Sequence, residues 1–269
     1  MLLLKLKAIA AAALLAAPVS YGLGHRTPPA RGFAGPDMIE LRTGTVTYKP
    51  AGDYTRADKP ANAPIVAVKL ASGVTIMAHE VTSDEYQRCI DDGGCPAVAK
   101  ASLPPPNRPM VGVSWQDAHA YAGWLSRKSG RRYRLPTDAE WAFAAGSRFR
   151  DEGWPDFDNA DPAKRWLAQY DREAQEEVDA APRAIGSFGS NEKGLLDVAG
   201  NVWEWTDTCF VRIALDAGNH AVAETRNCGV RVVEGRHRTY VTDFVRDARA
   251  GGCAVGTPPA NLGFRLVRD

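Results

Sequence analysis

Residues Arg108–Gly146, RPMVGVSWQDAHAYAGWLSRKSGRRYRLPTDAEWAFAAG, hold two capped helices and a short strand. Ser114 followed by Asp117 is a Ser-x-x-acid start, in which the hydroxyl accepts a first-turn backbone N–H and the carboxylate suits the positive end of the helix dipole. Apolar residues then recur at Trp115, Ala118, Tyr121, Ala122 and Leu125, the three-and-four spacing of one buried stripe. Gly130 supplies the residue that turns left-handed at the helix end. Tyr133 and Leu135 alternate with arginines as in a half-buried strand, and Pro136 stops it. Thr137 with Glu140 repeats the capping device, and Trp141 and Ala144 give the second helix its face.

The blocks GLLDVAGNVWEWTD (Gly194–Asp207) and NLGFRLVRD (Asn261–Asp269) follow in order. With them, the chain from Thr43 to Asp269 resembles the family of formylglycine-generating enzymes, or sulfatase-modifying factors. Three long ordered motifs are far more specific than one short pattern. The resemblance implies one α+β domain, the family's variant of the C-type lectin fold, with much irregular chain. It does not fix an activity. The family also holds iron-dependent ergothioneine-pathway enzymes, a periplasmic pyoverdine-maturation oxidase and accessory proteins encoded beside copper nitrite reductases.

The chain has 269 residues, is 45% apolar with seven tryptophans, and can fill a sizeable core. A net charge of +1 with dispersed Lys and Arg gives no footprint for nucleic acid or an anionic membrane. Residues 1–22 read as a secretory signal: Lys5 and Lys7 precede the run Ala8–Ala17, too short to span a bilayer as a helix, and Ser20-Tyr21-Gly22 offers a cleavage site, with an uncleaved anchor as the alternative. The predicted organisation is a signal over 1–22, a Gly/Pro-rich linker over 23–42 and the domain over 43–269. A periplasmic location with no transmembrane domain is the expectation.

Export makes the five cysteines informative. Thr82 and Glu85 form a capping box, with Val81 and Tyr86 as a hydrophobic staple, so a helix is predicted from Ser83 to about Asp91. Gly93 and Gly94 fold the chain back, which makes Cys89 and Cys95 a local disulfide staple; a redox-active pair is the competing reading. The resemblance implies a second bridge, Cys209 to Cys228, because related exported members carry a cysteine pair at these places. It would close a loop of about twenty residues, a stabilisation of ~3 kcal/mol by the chain-entropy argument. Cys253 is left over: buried and inert, paired with another molecule, or reactive.

In formylglycine-generating enzymes the resemblance places two cysteines shortly before the closing Gly-Phe-Arg, and these thiolates bind Cu(I). Counted back from Gly263-Phe264-Arg265, positions Thr239–Asp247 contain no cysteine, and only Cys253 lies nearby. One thiol cannot reproduce a two-thiolate copper site. The five histidines (His25, His79, His119, His220, His237) show no ligand spacing, so a built-in iron site is not supported either. Arg236, His237 and Arg238 stand where the family usually has small residues and a tryptophan. Either they line a groove that favours an anionic or metal-bearing ligand, or they pair with Glu234 and Asp243 on an exposed surface. The resemblance does carry over a structural calcium site: the side chain of Asp197, the carbonyls of Gly200 and Val202, and Glu204. The alternative is that Asp197 and Glu204 cap turns. Trp203 and Trp205 read as core or groove wall.

The expected function is an exported maturation or accessory protein acting on a small-molecule or protein client. As an oxidase it would use His237, Arg249 and Cys253; as a binding or assembly factor for a periplasmic copper enzyme it would use no bond chemistry. Formylglycine generation at an unusual site is the third reading.

Overall fold

The computed structural model describes residues 33–98, 103–150, 181–246 and 261–269. Along the chain lie strands β1 (Met38–Leu41), β2 (Gly44–Tyr48), β3 (Asp53–Arg56), β4 (Lys59–Ala61), β5 (Val66–Leu70) and β6 (Val74–Met77). Helices α1 (Ser83–Asp91) and α2 (Trp115–Ser129), strand β7 (Tyr133–Arg134) and helix α3 (Asp138–Ala145) follow. Strands β8 (Trp203–Leu215), β9 (Ala221–Glu234), β10 (Thr239–Thr242), β11 (Leu262–Gly263) and β12 (Val267–Arg268) complete the described chain.

All three helices start where their caps predict. Thr82, Ser114 and Thr137 each accept from the third helical N–H, and Glu85, Asp117 and Glu140 each reach back to the cap N–H. Gly130 ends α2 in the left-handed conformation, φ 70°. The staple residues Val81 and Tyr86 are both fully buried. The stripe of α2 is buried at Ala118, Tyr121, Ala122 and Leu125, whereas Trp115 at the first position is only half-buried.

One sheet has the order β1-β6-β12-β7 and a larger one β10-β9-β8-β3-β4, while β2 and β5 form a separate pair. The closing segment ties the two larger sheets together: Leu262 and Gly263 run parallel to Trp203 and Glu204, and Val267 then sits between Ile76 and Arg134. Gly263 passes so close to α2's leading loop that a Cβ there would lie 2.6 Å from the Met110 carbonyl. The main core gathers Met77, Tyr86, Tyr121, Leu125, Trp205, Phe264 and Leu266 between α1, α2 and the sheets, and a second cluster forms around Ile76, Trp141 and Leu195.

Two expectations are corrected. β1 lies inside the segment read as linker, 23–42; its four residues pair in register with β6, Met38 opposite Met77, so ordered structure begins before Thr43. The span from Cys209 to Cys228 is no loose loop but the outer part of a hairpin of β8 and β9, paired from Phe210 opposite Asn227 to Leu215 opposite Ala221. The signal segment lies outside the described residues. Among those described, no helix is long and apolar enough to cross a membrane.

Candidate functional site

Glu204 enters β8 directly after the turn 197–201, and its carboxylate points into the core with Arg265. The guanidinium grips it in a bidentate pair, Nε to Oε2 at 2.7 Å and Nη2 to Oε1 at 2.9 Å, and the Trp141 indole donates to Oε2 at 2.9 Å. Glu80 stands 3.4 Å from the same Arg265 Nη2, fully buried, with neither oxygen hydrogen-bonded. Burial outweighs the pull of Arg265 and pushes the Glu80 carboxyl up to about 8. Burial opposes the charge of Arg265 in turn, but Glu204 and Glu80 overcome it and raise its pKa. Asp197, also buried, takes backbone N–H bonds from Gly186 and from Phe188, the latter at 2.7 Å.

Two buried carboxylates, Glu204 and Glu80, therefore face one guanidinium, and the charge of Asp197 reaches it more weakly. Asp197 does brace a turn, as its turn-capping reading expects, while Glu204 serves an internal ion pair. Each carboxylate oxygen has two accepting lone pairs, so both Asp197 and Glu204 retain capacity after these bonds. A calcium ion at Asp197, Gly200, Val202 and Glu204 would draw on this remaining capacity, which at Glu204 is confined to Oε1 because Oε2 already accepts from Arg265 and Trp141. Among the described residues no group of three or more His, Cys, Asp or Glu side chains is arranged to hold a metal.

The segment after β9 is built differently from either expectation. Arg238 is not available to a ligand and is not on the surface: its side chain is 5% exposed, 2.8 Å from Asp138 Oδ1 and 2.8 Å from Glu234 Oε1, and it also donates to the Lys49 carbonyl. Pairing with Glu234 is as the sequence suggests, but burial under Tyr48 and Phe149, whose rings lie 5.6 and 5.5 Å from the guanidinium, is not. Burial raises the Glu234 carboxyl well above its ordinary range despite Arg238, and Asp138 adds to the rise. Glu234 Oε2 has no hydrogen bond. His237 is buried, with Nδ1 2.9 Å from the Arg238 carbonyl and its ring edge-on to Trp203 at 5.7 Å. Arg236 is exposed. Arg249 and Cys253 lie outside the described residues.

Trp203 and Trp205 divide as their alternation predicts. Trp205 is fully buried and donates to the Val113 carbonyl at 2.8 Å, and Trp203 packs half-buried against the core. Both expected disulfides form, Cys89 to Cys95 and Cys209 to Cys228.

One arrangement escaped the sequence. Arg231 stacks 3.9 Å over the Trp115 ring, whose other neighbour is His119 at 4.7 Å, and it donates to the Asp207 carbonyl at 3.0 Å beside the Cys209 sulfur. This explains why Trp115 is only half-buried: its ring packs against the edge of the core and also serves a cation. The residues come from α2 and β9, more than a hundred positions apart, and no local spacing announces them.

Residues 25–269 match the Sulfatase-modifying factor enzyme 1-like domain. The formylglycine-generating enzyme of Streptomyces coelicolor is 30% identical over 174 residues, 61% of this chain and 54% of that protein. The inactive C-alpha-formylglycine-generating enzyme 2 of Bos taurus is 35% identical over 163 residues, 59% of this chain and 50% of that protein. These matches span about half the length of the curated relatives. Among solved structures, PvdO from Pseudomonas aeruginosa shares the fold, with a TM-score of 0.55 over 87% of this chain and 94% of that one at 22% identity. With its capped helices, its tryptophan block and its closing Gly-Phe-Arg in place, the chain belongs to the sulfatase-modifying factor family, the family of the formylglycine-generating enzymes.

Proposed function

We propose that this chain is an exported, periplasmic accessory or maturation protein that handles a protein or small-molecule client without the copper chemistry of formylglycine formation. One observation carries the reading. Of five cysteines, Cys89, Cys95, Cys209 and Cys228 are consumed by disulfides, which leaves only Cys253. A two-thiolate Cu(I) site needs a second thiol that the oxidised chain does not have. Disulfides of this kind also form outside the reducing cytosol, which supports export. A relative of similar identity carries the name of an inactive enzyme, so the scaffold serves without the activity elsewhere in the family.

The test is direct. Purified oxidised chain should yield one titratable thiol when unfolded and should leave a cysteine-containing sulfatase peptide unchanged in mass. Conversion of that cysteine to an aldehyde, or two free thiols per chain, overturns the proposal. Bond chemistry elsewhere is the second reading. It is favoured by His237, buried against Trp203, whose indole nitrogen is buried and has no hydrogen bond. If it holds, His237→Ala and Cys253→Ser lower turnover of a client with folding intact.

Calcium belongs to the same proposal, held by the side chains of Asp197 and Glu204 and the carbonyls of Gly200 and Val202. It would supply positive charge to a core with surplus carboxylates, a structural role. Chelation is expected to lower the melting temperature and calcium to restore it. Equal melting curves with and without chelator, in protein shown free of calcium, refute it.

A further inference from the structure

We propose that the outer half of β9 is a docking edge for a second copy of this chain, joined as an antiparallel strand about a two-fold axis at Thr225. Every residue from Ala221 to Gly229 is exposed. Their inner edge pairs with β8, from Ala221 opposite Leu215 to Asn227 opposite Phe210. Their outer edge has no strand beside it among the described residues, because β10 reaches only from Val230 to Val233 and a last bond joins Asp243 N–H to the Gly229 carbonyl. The far edge of β8 is covered at this level by β3. An edge of this length with free backbone groups is a template for another strand.

The edge is held rigid, which lowers the cost of pairing. Cys209–Cys228 clamps one end. At the other, Asp216 caps the Gly218 and His220 N–H groups, and Arg56 of β3 binds the Asp216 carbonyl and the Asn219 side chain. Arg212 and Asp53 pair across the same junction at 3.1 Å.

Self-complementary charge selects a second copy as the occupant. Glu224 and Arg226 share one face of the strand and already touch at 3.0 Å, both well exposed. An antiparallel copy centred on Thr225 sets Glu224 opposite Arg226 of the second copy, and Arg226 opposite Glu224 of the second copy, closing a ring of four alternating charges. Pairing with β8 is regular from Ala223 to Asn227, between register shifts at either end, so the two copies would meet over these residues.

Light scattering of the full chain at micromolar concentrations should give twice the mass of one chain. Glu224→Arg leaves four cations around the axis and is expected to weaken association ~tenfold or more. The exchange Glu224→Arg with Arg226→Glu restores alternation and should recover the dimer, which separates charge pairing from damage to the fold. Thr225→Cys should give a covalent dimer on non-reducing gels, with the unsubstituted chain as control for Cys253. A chain that stays monomeric, whether or not another protein's strand occupies the edge, overturns the proposal. So does a dimer indifferent to Glu224→Arg and not cross-linked by Thr225→Cys.

Discussion

Arg238→Met is the sharpest probe of the buried cluster at the end of β9. Arg238 bridges Asp138 and Glu234 at 2.8 Å each, and all three side chains are at most 5% exposed. Methionine fills much of the same volume but brings no charge, so two carboxylates are left in the interior with no cation between them. Removing one member of such a buried set costs ~3–5 kcal/mol, a melting-temperature drop of about 10 °C for a domain of this size. The carboxylates escape part of that cost by taking up protons. Glu234 already has a raised pKa through burial, and loss of Arg238 lifts it further. A carboxyl with a raised pKa in the fold binds more protons than in the unfolded chain, so stability falls as pH rises above the unfolded carboxyl pKa. The penalty for Arg238→Met should therefore be small in acid and grow toward neutrality, by up to ~1.4 kcal/mol per pH unit for each retained proton. Urea unfolding of both proteins at mildly acidic and neutral pH measures it. Adding Glu234→Gln to Arg238→Met removes one stranded carboxylate and should recover at least about 1 kcal/mol at neutral pH. A loss under about 1 kcal/mol, flat with pH and unmoved by the second substitution, would refute the assignment of Arg238 as the cluster's counter-ion.

Three further outcomes follow from single contacts. Glu80→Gln keeps the shape of a carboxyl that burial pushes up to about 8, so in chelator it should match the parent in acid and become the more stable protein as pH rises from 4.5 toward 8 in chemical unfolding. Replacing both Cys209 and Cys228 by alanine frees a span of 19 residues and should cost ~3 kcal/mol, with the hairpin amides losing hydrogen-exchange protection before the core does. Gly94→Ala would place a Cβ 2.4 Å from the Trp124 ring, itself buried and bonded to Asp92, and the overpacking should cost ~1–3 kcal/mol by thermal or urea unfolding.

The helices were legible because their signals are local. A cap hydroxyl, an acid three residues on and a glycine at the end act within one or two turns, and the same atoms make the bonds in the structure. Cys89 and Cys95 were legible for the same reason, since the helix and two glycines between them bring them together. The Cys209 to Cys228 bridge came through resemblance instead, and the strand pairing inside it was missed because exposed polar residues blur the alternation. At the candidate site, reading Arg236 to Arg238 as one basic cluster failed. Neighbours along a chain at a strand end point different ways, and Arg238 turns inward to Asp138, 100 residues earlier, while Arg236 stays outside.

Capping, motif order and cysteine count depend on residues near one another or on number alone, so the amino-acid sequence sets where the helices begin, the family, and how few thiols remain for chemistry. Which charges are buried, and on what they rest, is set by the fold, with Arg265 held by Glu204 and approached by Glu80, Arg238 between Asp138 and Glu234, and Arg231 half-buried on Trp115. The reason is physical: a side chain's charge is written in its sequence, but its solvation and its partners are set by whichever distant strands the fold lays beside it.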